Sequence, residues 1–279
     1  MTAVVSELIS YPVKGCAGVS LREAVLTGAG LAHDRGFMVV DQEGTFRSQR
    51  RDPRLALVRP AIDACGERLT LRAPGFEDLD IAVDRDSPRQ AVSLFGQSYR
   101  GIDQGRAAGE WLSSVLGKAS RLVRVPPEHD RVTDGRTPGT SGYADSSPVH
   151  AVSLATLDEL NRRLPGPPMP MSRFRPNIVI GGWDEPHLED RAHRVAIGSA
   201  ELGYAKLAIR CAVTLVDQER GDKAGPEPLR TLATYRRAAV GGVAFGTKFS
   251  VLRPGELAVG DTVTVRAWAE SELNEPQPV

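Results

Sequence analysis

The sequence predicts a mainly β protein of the α+β class, an N-terminal β-domain followed by a β-barrel with a few short helices. Short β-type runs separated by turn residues fill both halves, and only two longer stretches have a helical period. A stretch rich in Gly, Ser, Thr, Asp and Pro at 133–147 divides the halves. With 279 residues, 41% of them hydrophobic, the chain can bury a sizeable core in one large or two small domains.

In the first unit, runs at 4–11, 19–26, 36–41, 55–62, 68–71, 81–83 and 91–95 read as strands. Gly30, Gly36, Gly66, Gly75 and Gly96 punctuate them, and Asp41 to Gly44 closes one run. Over 104–116 the period turns helical: Trp111, Leu112, Val115 and Leu116 share a face, with Gly117 as the stop. Pro126 and Pro127 then open the loop, placing a boundary near residue 125 between a first domain, 1–125, and a second, 126–279. Residues 149–152 read as a strand, and Ser153 caps a helix whose core face is Leu154, Leu157, Leu160 and Leu164. Prolines within 165–170 end it. Further strands are expected at 178–180, 195–197, 200–202, 206–209, 213–216, 249–252 and 262–267, with a short helix at 229–236 and a frayed polar tail at 271–279.

Thirty-five basic and 35 acidic residues give zero net charge, so nothing draws the chain as a whole to nucleic acid or an anionic membrane. Any anion must be held locally. The N-terminus carries no secretory pattern and no run of about 18 apolar residues occurs, so a cytoplasmic protein is expected. Three cysteines without a C-x-x-C spacing support neither a disulfide framework, a structural zinc site nor a four-cysteine iron–sulfur cluster. Phosphate-loop, dinucleotide-fold and nucleophile-elbow signatures all fail, and His187 and His193 are spaced for no common zinc motif.

What remains lies where strands end. Lys14 and Gly15 follow the first strand, where a small residue lets backbone N–H groups approach an anion; a plain turn is the other reading. His33, Asp34 and Arg35 form a charged triplet that serves equally as a solvated strand end. Arg173 and Arg175 fall on one face if the segment is extended, as Pro176 favours, and would clamp a phosphate or carboxylate. Asn177 offers a donor and an acceptor to a heterocycle edge. Arg210 stands beside Cys211, and a guanidinium next to a thiol favours the thiolate that ligates a soft metal; a buried small hydrophobe is the alternative.

These segments, in this order, resemble one family. Tyr11 to Cys16, His33 to Gly44, Asp52 to Leu55, Tyr143 to Pro148, Phe174 to Ile180, Arg210 to Asp217 and the closing Val259-Gly260-Asp261 are similar to the MOSC proteins, across residues 3 to about 268. The arrangement with an N-terminal β-domain resembles the mitochondrial amidoxime-reducing component and its bacterial relatives. That resemblance implies a MOSC-type barrel and a molybdenum cofactor, with a single pterin and a metal bound by one protein cysteine. Cys211 matches that ligand, while Cys16 and Cys65 do not. Lys14, Gly15 and Arg35 match cofactor contacts of the first domain, and Asp145, Ser146, Ser147, Arg175 and Asn177 those of the second. Relatives often carry serine at Gly15, so only a backbone N–H can serve there. Arg210 is placed to tune the thiolate or touch the pterin, and Asp217 is a candidate catalytic proton handler that reaches the metal only if the chain turns back after Cys211.

The implied activity is two-electron reduction of small N-hydroxylated compounds such as hydroxylaminopurines, hydroxylamines and amidoximes. Three scattered cysteines cannot ligate a fused [2Fe–2S] domain, which implies a separate electron donor of the ferredoxin or flavoprotein type. The competing expectation is a cofactor carrier or sulfur-transfer module that does not turn over N–OH groups.

Overall fold

The first strand, Val4–Ser10, crosses into the other half of the molecule. In the computed structural model, which describes residues 2–274, it sits in an eight-stranded sheet. The order there is Val263–Trp268, Ala192–Ile197, Ala200–Arg210, Val243–Arg253, Val149–Ser153, Ile178–Gly181, Val4–Ser10 and Val19–Leu21. A bridge between Val4 and Thr262, with Val263 N donating to Ala3 O at 2.8 Å, brings the outer strand round to the first and closes the barrel. Closure removes the open edge that a sheet of this length would otherwise expose. Burial explains the placement: Val5 and Leu8 pack with Ile178, Val195, Leu202 and Phe249 in the barrel core. The strands Val4–Ser10 and Val19–Leu21 therefore pair within the barrel of the second half, and Glu23–Thr27 pairs with Gly255–Ala258, whereas Val13–Lys14 between them pairs within the first half.

The remainder of the first half builds a second core. A five-stranded sheet, Arg89–Leu94, Gln97–Asp103, Arg121–Arg124, Phe37–Val40 and Val13–Lys14, packs against the helix Arg106–Leu116. Leu112 and Val115 meet Val39, Leu69 and Leu122 there, and Gly117 ends the helix in a left-handed cap at φ 67°. Ser153 caps the second helix, Leu154–Arg163, accepting from Thr156 N at 3.1 Å; Leu157 and Leu160 are buried, but Leu154 faces solvent.

Several expected elements change. Residues 200–202 and 206–209 are one strand, Ala200–Arg210, because Gly203 is no break: a Cβ there would stand 2.8 Å from the Thr137 hydroxyl that crosses it. Residues 213–216 are mostly a 3-10 turn, Ala212–Leu215, closed by Thr214 N and Oγ1, which both donate to Cys211 O. Similarly, 55–62 begins as the 3-10 turn Pro53–Leu57, and the helix expected at 229–236 is only Leu229–Leu232. The polar strand Gln97–Asp103 and the short Arg121–Arg124 went unread, since hairpin pairing and Leu122 and Val123, not alternation, make them. Of the tail expected at 271–279, residues 275–279 lie outside the described residues. Among the described residues no helix is long and apolar enough to cross a membrane.

Gly246 interrupts Val243–Arg253 two residues before Lys248, with φ 76° and a would-be Cβ only 2.5 Å from Val152 Cγ2. Gly246→Ala should therefore cost about 2–4 kcal/mol through backbone strain and overpacking, read as a lower urea midpoint.

Candidate functional site

Both halves wall one cavity of about 400 Å³. From the first half, Val13–Lys14 pairs in parallel with Phe37–Val40 and carries Lys14 inward. Its ammonium donates to Asp145 of the second half and lies 5.0 Å from the Phe95 ring centre. Burial lowers the Lys14 pKa, with Asp145 opposing it; the Asp145 carboxyl, pushed up by burial, is held far below the usual range by Lys14 and Lys248. Gly15 takes φ 81°, and its carbonyl accepts from Gln49 Nε2 at 2.6 Å.

A buried knot joins the halves behind this wall. Asp34 Oδ1 accepts from Tyr11 N at 2.8 Å and from Asn177 Nδ2 at 3.1 Å, and Asp34 Oδ2 accepts from Arg35 Nη1 at 2.5 Å. Asn177 also donates to Ile9 O, and its Oδ1 accepts from Arg35 Nη1 and His150 N. Its donors and acceptor are thus spent on protein, so it positions the wall instead of offering a free edge. The guanidinium groups of Arg35 and Arg175 each lie 4.3 Å from the Tyr11 ring centre.

Arg175 reaches this place in a left-handed conformation, φ 57°, not the extended one that Pro176 favours. Arg173, in the 3-10 turn Met171–Arg173, points elsewhere and donates from Nε to Thr214 O at 3.0 Å. The two arginines therefore do not form one clamp: the turn between them rotates Arg173 out of the cavity.

Cys211 ends the long strand Ala200–Arg210 with its thiol exposed at the cavity mouth. Arg210 is half-buried beside it; Nη2 donates to Phe174 O at 2.9 Å, while Nε, buried, has no partner. Ser146 and Ser147 also line the cavity, and the Ser147 hydroxyl is buried without a partner. Cys16 is fully buried, its thiol pushed up to about 12 by desolvation, and Cys65 is exposed outside the cavity. Asp217 is not brought to the site. Its Oδ1 accepts from Glu219 N at 2.9 Å and Arg220 N at 3.0 Å, capping its own turn, and those bonds hold its pKa low.

Sequence reasoning missed His150, Lys248 and the rim residues Phe46, Arg50 and Phe95. Lys248 is the one charged residue before the final Arg253 of the strand Val243–Arg253, the one signal that could have marked it. Burial, with Arg210, Arg35 and Lys14 nearby and only Asp145 opposing, brings its pKa down to about 7. Desolvation and the charges of Lys248 and Arg210 keep the His150 imidazole neutral well below its usual range.

Eight lysines and arginines line the cavity against one carboxylate, Asp145. Such a site demands an anion, and the orphaned Arg210 Nε and Ser147 Oγ are donors left for one. Among the described residues no cluster of three or more His, Cys, Asp or Glu could hold a metal ion. A metal on Cys211 would thus bring its other ligands with it, as a dithiolene cofactor does. The residues fit such a phosphate-bearing group.

Comparison with known proteins shows the family. Residues 2–119 match the MOSC N-terminal beta barrel domain, and residues 138–264 match the MOSC domain. The chain is similar to mitochondrial amidoxime-reducing component 1 of Mus musculus, 35% identical over 280 residues that cover 93% of this chain and 81% of that protein. Component 1 of Homo sapiens and component 2 of Rattus norvegicus are each 35% identical, with 82% of their lengths covered. With both domains matched and 35% identity across four-fifths of these relatives, the chain belongs to the MOSC family, among the two-domain members that include the mitochondrial amidoxime-reducing components.

Proposed function

We propose that this protein is a molybdenum-cofactor-dependent oxidoreductase that reduces N-hydroxylated compounds, taking electrons from a separate ferredoxin- or flavoprotein-type donor. The observation that carries the reading is a lone exposed cysteine, Cys211, at the mouth of a cation-lined cavity. The relatives' name, amidoxime-reducing component, supports the substrate class. When bound, the cofactor supplies a metal centre that exchanges two electrons and accepts oxygen. Lys14, Arg35, Arg175 and Arg210, with the Ser147 hydroxyl, are the groups that would hold its phosphate and pterin. Cys211 would provide the protein's one bond to the metal.

Overall, R–NH–OH, two electrons and two protons give R–NH2 and water. A proton must therefore reach the departing oxygen, and Lys248 Nζ, with a pKa of about 7 and no hydrogen-bond or ion-pair partner among the described residues, can hold one. Only the ammonium form donates, so kcat/KM should fall as pH rises through that pKa. An anion bound beside Lys14, Arg35, Arg210 and Lys248 raises the Lys248 value, so the limb lies at or above pH 7 in the loaded protein. Lys248→Met should remove this limb and lower the rate by about 10²-fold, checked by a pH–rate profile.

The deciding experiment pairs metal and pterin analysis with reduction of 6-hydroxylaminopurine by an artificial electron donor, on protein recovered from a cofactor-producing host. Molybdenum with turnover is expected. Molybdenum without turnover of any hydroxylamine or amidoxime would move the assignment to a carrier or sulfur-transfer module, and protein that never acquires molybdenum would sink both.

A further inference from the structure

The hairpin between Arg89–Leu94 and Gln97–Asp103 turns on two residues, Phe95 and Gly96, since Leu94 pairs with Gln97. Both have positive φ, 54° and 77°. That turn ordinarily takes Asn-Gly or Gly-Gly, because a side chain at its first position is strained. A bulky aromatic there costs stability, and Phe95 recovers little of it by burial, being 44% exposed. The chain thus holds an unfavourable residue in an unfavourable conformation in the lining of the cavity that also holds Cys211, its ring meeting only Phe46 among the aromatics of the described residues, edge-on at 4.8 Å.

Phe95 has an equally unusual neighbour. The Arg50 guanidinium lies 5.8 Å from its ring centre, and no carboxylate pairs with it among the described residues. The other cations of the cavity divide clearly. Lys14, Arg35, Arg47 and Lys206 are paired with Asp145, Asp34, Asp52 and Asp134. Arg175 is buried, and Arg210 and Lys248, the latter also without a carboxylate partner, are only half-exposed within the cavity, where a cofactor phosphate would engage them. Arg50 alone is both exposed and free of a carboxylate at the rim.

We propose that Phe95 and Arg50 form a substrate platform that selects flat N-hydroxylated heteroaromatics bearing a phosphate, that is, N-hydroxylated nucleotides, over the uncharged nucleosides. The inference rests on the reductase reading and deepens it. The ring supplies a stacking face that tolerates any base, and the guanidinium fork supplies the phosphate contact. Its charge is rim-exposed, so the preference for phosphate weakens with salt.

The test uses cofactor-loaded protein. Equilibrium binding of AMP and of adenosine, neither of them reducible, is measured beside kcat/KM for 6-hydroxylaminopurine riboside and its 5′-monophosphate. At low salt the monophosphates should be favoured about tenfold in both assays. Arg50→Glu should abolish or reverse that ratio. Phe95→Ala should weaken AMP and adenosine alike by about fivefold or more, with pterin content unchanged. Equal binding of AMP and adenosine, or a ratio that survives Arg50→Glu, overturns the platform. So does Phe95→Ala protein that sheds its pterin, because the ring then covers the cofactor and not the substrate. If AMP is preferred as expected but no N–OH compound is reduced, the platform stands and the reductase reading fails; if riboside and monophosphate are reduced equally, the reverse holds.

Discussion

Cys211→Ala protein is expected to fold normally and to lose reduction of N-hydroxylated substrates by at least about 10²-fold, the upper cost of losing a group that merely supports a metal ligand. The expectation follows from position. The thiol is exposed, and the turn after it is closed by the Cys211 carbonyl, which accepts from Thr214 N and Oγ1. Removing the sulfur leaves that carbonyl in place, so urea stability should move by no more than about 0.5 kcal/mol. The proposed pterin contacts, Lys14, Arg35, Arg175 and Arg210, are separate side chains of the same cavity, so on this reading some cofactor can persist without turnover. X-ray absorption should then show one fewer sulfur on the metal. A variant that kept molybdenum and activity together would falsify the ligand assignment.

Asp34→Ala should be the most damaging single change to the fold, costing about 3–5 kcal/mol, because it leaves the buried Arg35 cation without its counter-charge. Burial alone would press the Arg35 pKa down, yet the Asp34 carboxylate raises it overall. The same deletion orphans Tyr11 N and one bond of Asn177 Nδ2, loosening contacts between the Tyr11 segment, the Asp34 loop and the strand Ile178–Gly181. Urea denaturation gives the stability, and cofactor retention should fall in parallel since Arg35 loses its orientation. Asp34→Asn keeps the shape and one acceptor and should fall between; a loss within about 0.5 kcal/mol for Asp34→Ala would mean that the knot is not structural.

Much of the fold was legible because burial leaves a pattern. Alternation marked most strands, and Ser153 and Gly117 announced helix ends through their own chemistry. The partner of a strand is not a local property, so nothing within Val4–Ser10 distinguished a place beside Ile178–Gly181 from one in its own half. At the site, residues carried by sequence motifs, such as Lys14, Arg35 and Cys211, do converge on one cavity. The conformation of Arg175 was not legible, because tertiary bonds on Arg35 and Asn177 override the local preference set by Pro176. Asp217 sat in a matching segment, but the 3-10 turn after Cys211 swings it into a cap of its own. Lys248 and Phe95 carry no motif; one is marked by its loss of water, the other by its strain.

The barrel seam has a consequence for how the molecule is made. The strand that begins at Val4 leaves the ribosome well before its closing neighbour, Val263–Trp268. The sheet holding Phe37–Val40 and Arg121–Arg124 can assemble early, since its partners lie within one stretch of chain. Val5 and Leu8 meanwhile wait with their apolar faces uncovered until Ile178, Val195, Leu202 and Phe249 have been made, the circumstance in which nascent chains need shielding. The cavity wall built from Val149–Ser153, Ala200–Arg210 and Val243–Arg253 is likewise complete only once the last of these strands has been made, so the proposed cofactor would have to enter after they have paired.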